Sequence, residues 1–78
     1  MHLGGLYRGT VVDSQDPSAS GRVKVLVPEL GTNTAWALVC VPFGGQQAGI
    51  VGAGTPVIVG FERGDPSRPV VLGRVATS

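Results

Sequence analysis

The sequence predicts an all-β fold, a small five-stranded OB-like β-barrel, from three observations. Thirteen glycines and six prolines interrupt the 78 residues too often for an amphipathic helix to fit between them. Five runs rich in β-branched residues lie between the interruptions. Clusters of turn-forming residues separate the runs at fairly regular spacing. The length allows one domain, residues 1–78, with the barrel over about 6–75.

The first run is Leu6 to Asp13, with Gly9 inside it as the expected mark of a bulge or strong coil. Ser14 to Gly21 follows as a turn rich in Ser, Asp, Pro and Gly. The second run, Arg22 to Pro28, alternates. Val23, Val25 and Val27 share one face and Arg22, Lys24 and Leu26 the other, the period of a half-buried strand. Pro28 to Asn33 reads as a second turn. The third run, Thr34 to Pro42, is nearly all apolar, so both its faces are expected to be covered. A Gly-rich connection spans Phe43 to Thr55. The fourth run, Pro56 to Glu62, leads into the turn Arg63 to Arg68, and the fifth is Pro69 to Val75. The tail Ala76 to Ser78 is expected to fray. Barrel closure removes the edges such apolar strands would expose. Three strands in a meander and a long connection before the fourth fit the oligonucleotide/oligosaccharide-binding type of barrel. The Gly-rich connection stands where that fold places a helix.

Composition narrows the function. A chain this short buries roughly 60–65% of the surface it exposes when unfolded, so it needs support beyond its own core. Cys40 is the lone cysteine and His2 the lone histidine, which excludes an intrachain disulfide and a tetrahedral His/Cys zinc site. Partner subunits are the remaining support. Charged residues are 14% of the chain, below the usual ~25%, and mean hydropathy is +0.28. That balance points to a surface covered by other chains. The net charge of +1, with acids and bases interspersed, is no footprint for nucleic acid. No segment approaches ~18 continuous apolar residues, so no membrane span is expected. The opening Met-His-Leu-Gly-Gly lacks the pattern of a signal peptide, so the expectation is a chain assembled in a cytoplasm, with Cys40 reduced.

Catalysis finds little support. The acids are Asp13, Asp16, Glu29, Glu62 and Asp65, and all but Glu62 fall in or beside turns. Asp16 before Pro17 and Asp65 before Pro66 read as formers of Asx turns, not as a catalytic pair. Cys40 reads as a small buried hydrophobe, and no histidine is placed to activate it or a serine. Gly49, Gly52 and Gly54 give G-x-x-G-x-G, the wrong order for a phosphate loop and with no helix after it. The aromatics are Tyr7, Trp36, Phe43 and Phe61, of which Phe61 alternates with Val57 and Val59 into the core. Neither an enzyme nor catalytic, cofactor-binding or metal-binding residues are expected.

Several stretches carry a resemblance. Tyr7-Arg8-Gly9-Thr10-Val11-Val12, then Asp16-Pro17, and Gly21 to Val25 with Val27-Pro28, form its opening. Trp36-Ala37, Pro42 and Gly54 to Phe61 continue it. Gly64-Asp65-Pro66-Ser67-Arg68-Pro69-Val70-Val71-Leu72-Gly73 is its most specific segment. Over roughly residues 6–75 the chain resembles the barrel domain of phage baseplate hub and spike proteins and of type VI and related contractile injection spikes. The resemblance implies a homotrimer around a tail axis, in a virion tail or baseplate, in contact with hub, spike or tube proteins. The sequence shows the barrel alone, which suits a collar or adaptor and not a piercing tip. Arg8, Arg22, Lys24, Glu62, Arg63, Asp65 and Arg68 are the expected rim contacts, and Trp36 stands at a barrel end or interface. Two other readings stay open. One is a barrel that binds single-stranded nucleic acid. The other is a structural barrel like those at microcompartment vertices, which Val51 to Thr55 and Val57 to Val59 loosely resemble.

Overall fold

The computed structural model describes residues 2–41, 43–44 and 52–76. Six strand segments occur: β1 (Tyr7–Asp13), β2 (Lys24–Val27), β3 (Thr32–Asn33), β4 (Leu38–Val39), β5 (Pro56–Phe61) and β6 (Pro69–Arg74). A 3-10 turn, Glu62–Gly64, joins the last two. The sheet order is β3-β2-β1-β5-β6-β4, antiparallel except for the parallel pair β4–β6.

The two ends of that order, β3 and β4, come from one stretch of chain. The Val23–Ala37 bridge holds this stretch to the entry of β2, while Leu38 and Val39 continue against Val70 and Val71. The sheet therefore curls back on itself as an OB-like barrel whose third strand is split in two. Thr34 supplies a reason for the split. Its N–H donates to the Val25 carbonyl at 2.8 Å, but the Val25 N–H donates to the Thr34 hydroxyl at 3.2 Å. A side chain takes the place of a ladder carbonyl there, and the hydroxyl in turn donates to the Ala35 carbonyl at 2.7 Å.

The interior is made of valines. Val11, Val25, Val27, Val57, Val59 and Val71 are fully buried, with Leu3, Val23, Ala37 and Phe61 around them. Burial of each such side chain is worth about 1.5–3 kcal/mol before entropy is counted. Alternation along β2 and β5 delivers these residues inward, as the sequence predicts for both runs. Phe61 meets Tyr7 edge to face, with ring centroids 5.7 Å apart. Leu3, ahead of the predicted barrel, also enters the core. Its N–H donates to the Gly64 carbonyl at 2.8 Å, tying the start of the chain to the 3-10 turn.

Four expectations need correction. Thr32–Asn33 is a strand paired with Leu26 and Val27, not the end of a turn. Glu62 leaves the strand and opens the 3-10 turn. Gly9 is not the bulge, since the register slips between Val11 and Asp13, at Val12. Gly9 is instead where β2 crosses closely: a Cβ there would press into Val25 Cγ1 and lie 2.9 Å from the Leu26 carbonyl oxygen. The third run is not covered on both faces. Leu38 is 53% and Val41 49% exposed, and Cys40 is exposed, not buried. This run crosses from β2 to β6, so only one of its faces meets the valine core. Residues 45–51 of the Gly-rich connection, including Gly49, lie outside the described residues.

Candidate functional site

The charged side chains and several large apolar ones lie on the outer surface of the barrel. Three regions of that surface have defined chemistry.

The first is the loop from β1 to β2. Asp16 Oδ1 accepts from the Ser18 N–H (3.0 Å), the Ser18 hydroxyl (2.9 Å) and Arg22 Nη2 (3.0 Å). Its Oδ2 accepts from the N–H groups of Ser20 (3.1 Å) and Arg22 (3.2 Å) and from Arg22 Nε (3.0 Å). Both oxygens are saturated, and the side chain is only 2% exposed within a loop whose other residues face water. The Arg22 guanidinium, with Ser18 behind it, holds the Asp16 carboxyl well below its usual range, and Asp16 raises Arg22 in return. This loop is ordered by one carboxylate, with little apolar packing.

The second region is the turn between β5 and β6. Asp65 accepts from the Ser67 N–H at 2.9 Å and the Ser67 hydroxyl at 2.7 Å, bonds that lower its carboxyl below the usual value. Arg68 reaches it only loosely, at 3.9 Å. Glu62, Arg63, Asp65 and Arg68 line an open polar hollow of about 320 Å³. Both Asp-Pro sequences thus form Asx turns, as expected. Among the described residues no three His, Cys, Asp or Glu side chains converge as metal ligands would.

The third region is apolar. Val59 and Phe61 point inward on β5, so Gly60 between them faces out. Gly60 pairs with Val70, and Val70 pairs with Leu38, forming one outward row across three strands. Leu6 and Leu72 flank Gly60: a Cβ there would lie 3.5 Å from Leu6 Cδ2 and 3.9 Å from Leu72 Cδ1. Leu6 is 64%, Leu38 53% and Leu72 47% exposed. No charged side chain belongs to this row.

The expected rim residues are dispersed. Arg22 is engaged with Asp16. Lys24, on β2, lies over the half-buried Trp36 ring at 5.1 Å from its centroid. Arg8 borders a shallow groove of about 220 Å³ with Pro28, Pro56 and Val75. Glu62, Arg63, Asp65 and Arg68 are together. The fold therefore unites the last four and separates Arg8, Arg22, Lys24 and Trp36 from them. Sequence reasoning did not find Leu6, Leu38 and Leu72. Leu72 carried a signal, being the residue out of phase with the inward Val71, while Leu38 had none inside a uniformly apolar run. Among the described residues no helix is long and apolar enough to cross a membrane.

Residues 7–75 match the family described as the type VI secretion system/phage-baseplate injector OB domain. No curated protein matches the chain at a significant level.

Proposed function

The chain belongs to the type VI secretion system/phage-baseplate injector OB domain family, and on that premise we propose that it is an oligomeric collar or adaptor of the central hub and spike. The role of the family is structural, in the baseplate and spike of injection machines, and it is not an enzyme family. In this reading copies of the chain pack around the axis as a homotrimer, in a virion tail, and join hub, spike or tube proteins above and below. The mechanism is mechanical: a stiff valine-filled barrel transmits load between neighbours without opening.

The observation that carries the reading is the exposure of Leu6, Leu38 and Leu72 around the apolar row of Gly60 and Val70. Covering what these three leave in water is worth about 2.5–5 kcal/mol per copy. That is comparable with the net stability of a domain of this size, roughly 4–12 kcal/mol. A free monomer forgoes it and an assembly gains it. The rim turn Glu62 to Arg68 and the Asp16 loop supply polar margins of the kind that surround such contacts.

The mass of the purified chain in solution, by light scattering or native mass spectrometry, tests the proposal. Three copies at micromolar concentration are expected. A monomer under those conditions rules the collar out.

A further inference from the structure

We infer that residues 2–5 are a latch on the barrel, with Leu3 as its plug, Gly5 as its hinge and Gly64 as its catch, and that the latch opens while the sheet stays folded. The latch does not depend on the assembly reading.

Three contacts define the closed form. Leu3 is buried in the core cluster that includes Phe61, against which Tyr7 packs. The Leu3 N–H donates to the Gly64 carbonyl at 2.8 Å. The His2 ring lies against Gly64, where any Cβ would overlap it. The catch is shaped for this role. Gly64 is buried with φ +74, and Arg63 before it is also left-handed, with φ +54. A left-handed arginine is a cost that the turn carries to present the Gly64 carbonyl.

Little else holds residues 2–5. His2, Gly4 and Gly5 are exposed, so Leu3 is the one buried side chain of the segment. Among the described residues, the bond to Gly64 is the one backbone hydrogen bond between this segment and the barrel. β1, which begins two residues after Gly5, is paired with both β2 and β5. A segment with one buried side chain and one backbone bond opens at a lower free energy than the sheet it rests on. Gly5 has φ +77 and nothing within 4 Å of a Cβ, so the chain turns there with room to swing.

The catch belongs to the turn that bears Glu62, Arg63, Asp65 and Arg68. The latch therefore couples the start of the chain to that polar hollow. A contact that holds the turn in its present form favours the closed latch, and one that bends the turn at Gly64 releases Leu3.

The test is amide hydrogen exchange by NMR on the full chain and on Gly5→Ala, with and without a low concentration of urea. In the wild type the Leu3 amide is expected to be protected about 10- to 150-fold, the worth of one buried leucine. It should exchange at least about tenfold faster than Val25 and Val59, and without their dependence on urea. Gly5→Ala removes no packing but penalises the left-handed hinge, so it should speed Leu3 exchange by at least about 5-fold. Its chemical-shift changes should reach Gly64 and Asp65 and leave Val25 unmoved. A Leu3 amide that exchanges with the rate and urea dependence of Val59 overturns the inference, because the segment then opens only with the barrel. An unprotected Leu3 amide overturns it too, since no closed form would exist. Unchanged Leu3 exchange in Gly5→Ala refutes the hinge, and shift changes that stop short of Gly64 and Asp65 refute the coupling. If Gly5→Ala does not fold, the wild-type comparison decides by itself whether the latch opens separately.

Discussion

Gly9 and Gly73 both lie inside strands, yet alanine should affect them in opposite directions. At Gly9 an added methyl would press into Val25 Cγ1 and stand 2.9 Å from the Leu26 carbonyl oxygen. A valine rotamer can move, but a carbonyl of the paired strand cannot move without disturbing the ladder at Thr10–Leu26. Overpacking of this kind costs about 1–3 kcal/mol. The reduced freedom of the unfolded chain returns about 0.4–1 kcal/mol. The expected net loss for Gly9→Ala is up to about 2.6 kcal/mol, or a fall in Tm of up to about 20 °C for a domain of this size. At Gly73 a Cβ has nothing within 4 Å. Gly73→Ala should therefore leave stability unchanged or raise it by up to about 1 kcal/mol. Urea unfolding followed by Trp36 fluorescence, at one fixed protein concentration, measures both. Equal effects at the two sites would refute the close approach of β1 and β2, because only Gly9 has a backbone oxygen of the paired strand in the way of a methyl group.

Asp16→Asn should loosen the first loop while leaving the barrel folded, seen as faster amide exchange at Ser18, Ser20 and Arg22 with little change at Val25 or Val59. Because pairing with Arg22 lowers the Asp16 carboxyl below its ordinary 3.8, its contribution is fully present above that value and is lost as pH falls below it. Amide protection of the loop should thus hold from pH 7 to about pH 4, and loss between pH 7 and 5 would contradict the pairing. Gly64 has φ +74 and lies under the His2 ring, so Gly64→Ala should destabilise the chain by about 1–2 kcal/mol. His2→Ala should recover part of that loss, and strict additivity in thermal unfolding would show that the two residues do not touch. Phe61→Ala removes a core ring packed on Tyr7 and should cost about 3–5 kcal/mol, read by urea denaturation. A labelled single-stranded oligonucleotide should show no salt-sensitive shift, because Trp36 already carries Lys24 across its ring, and a shift at low salt would reopen that reading.

The parts of the fold readable from sequence are those where one local rule acts alone. Val23, Val25 and Val27 alternate with polar neighbours, and one packed face follows from the period of a strand. Asp16 and Asp65 precede prolines, and each carboxylate bonds the N–H two residues on. Phe61 follows the phase of Val57 and Val59 into the core. The unreadable parts depend on how two paired segments pack together in space. Nothing near Gly9 announces that β2 passes over it, and the same glycine serves equally well as a bulge. The six bonds at Asp16 were likewise out of reach, since Arg22 belongs by alternation to a strand and not to the turn it clamps.

The third run shows why the site was harder to read than the fold. A continuous apolar stretch implies cover on both faces, but it does not say whether the cover is the chain's own core or another chain. Here Ala37 is buried beside Val23, while Leu38, the next residue, is 53% exposed. The expectation of two covered faces fails for the isolated barrel. On the proposed assembly reading, the second face is left for a neighbouring chain to cover, with Leu6 and Leu72 beside it. The same apolar run closes the barrel through Ala37 and Val39 and leaves Leu38 on the outer surface. Leu38→Asp separates them: it should leave the thermal midpoint of the monomer within about 2–4 °C, as surface substitutions do, while abolishing association. A variant that instead unfolds would place Leu38 in the barrel's own stability and remove it from the interface.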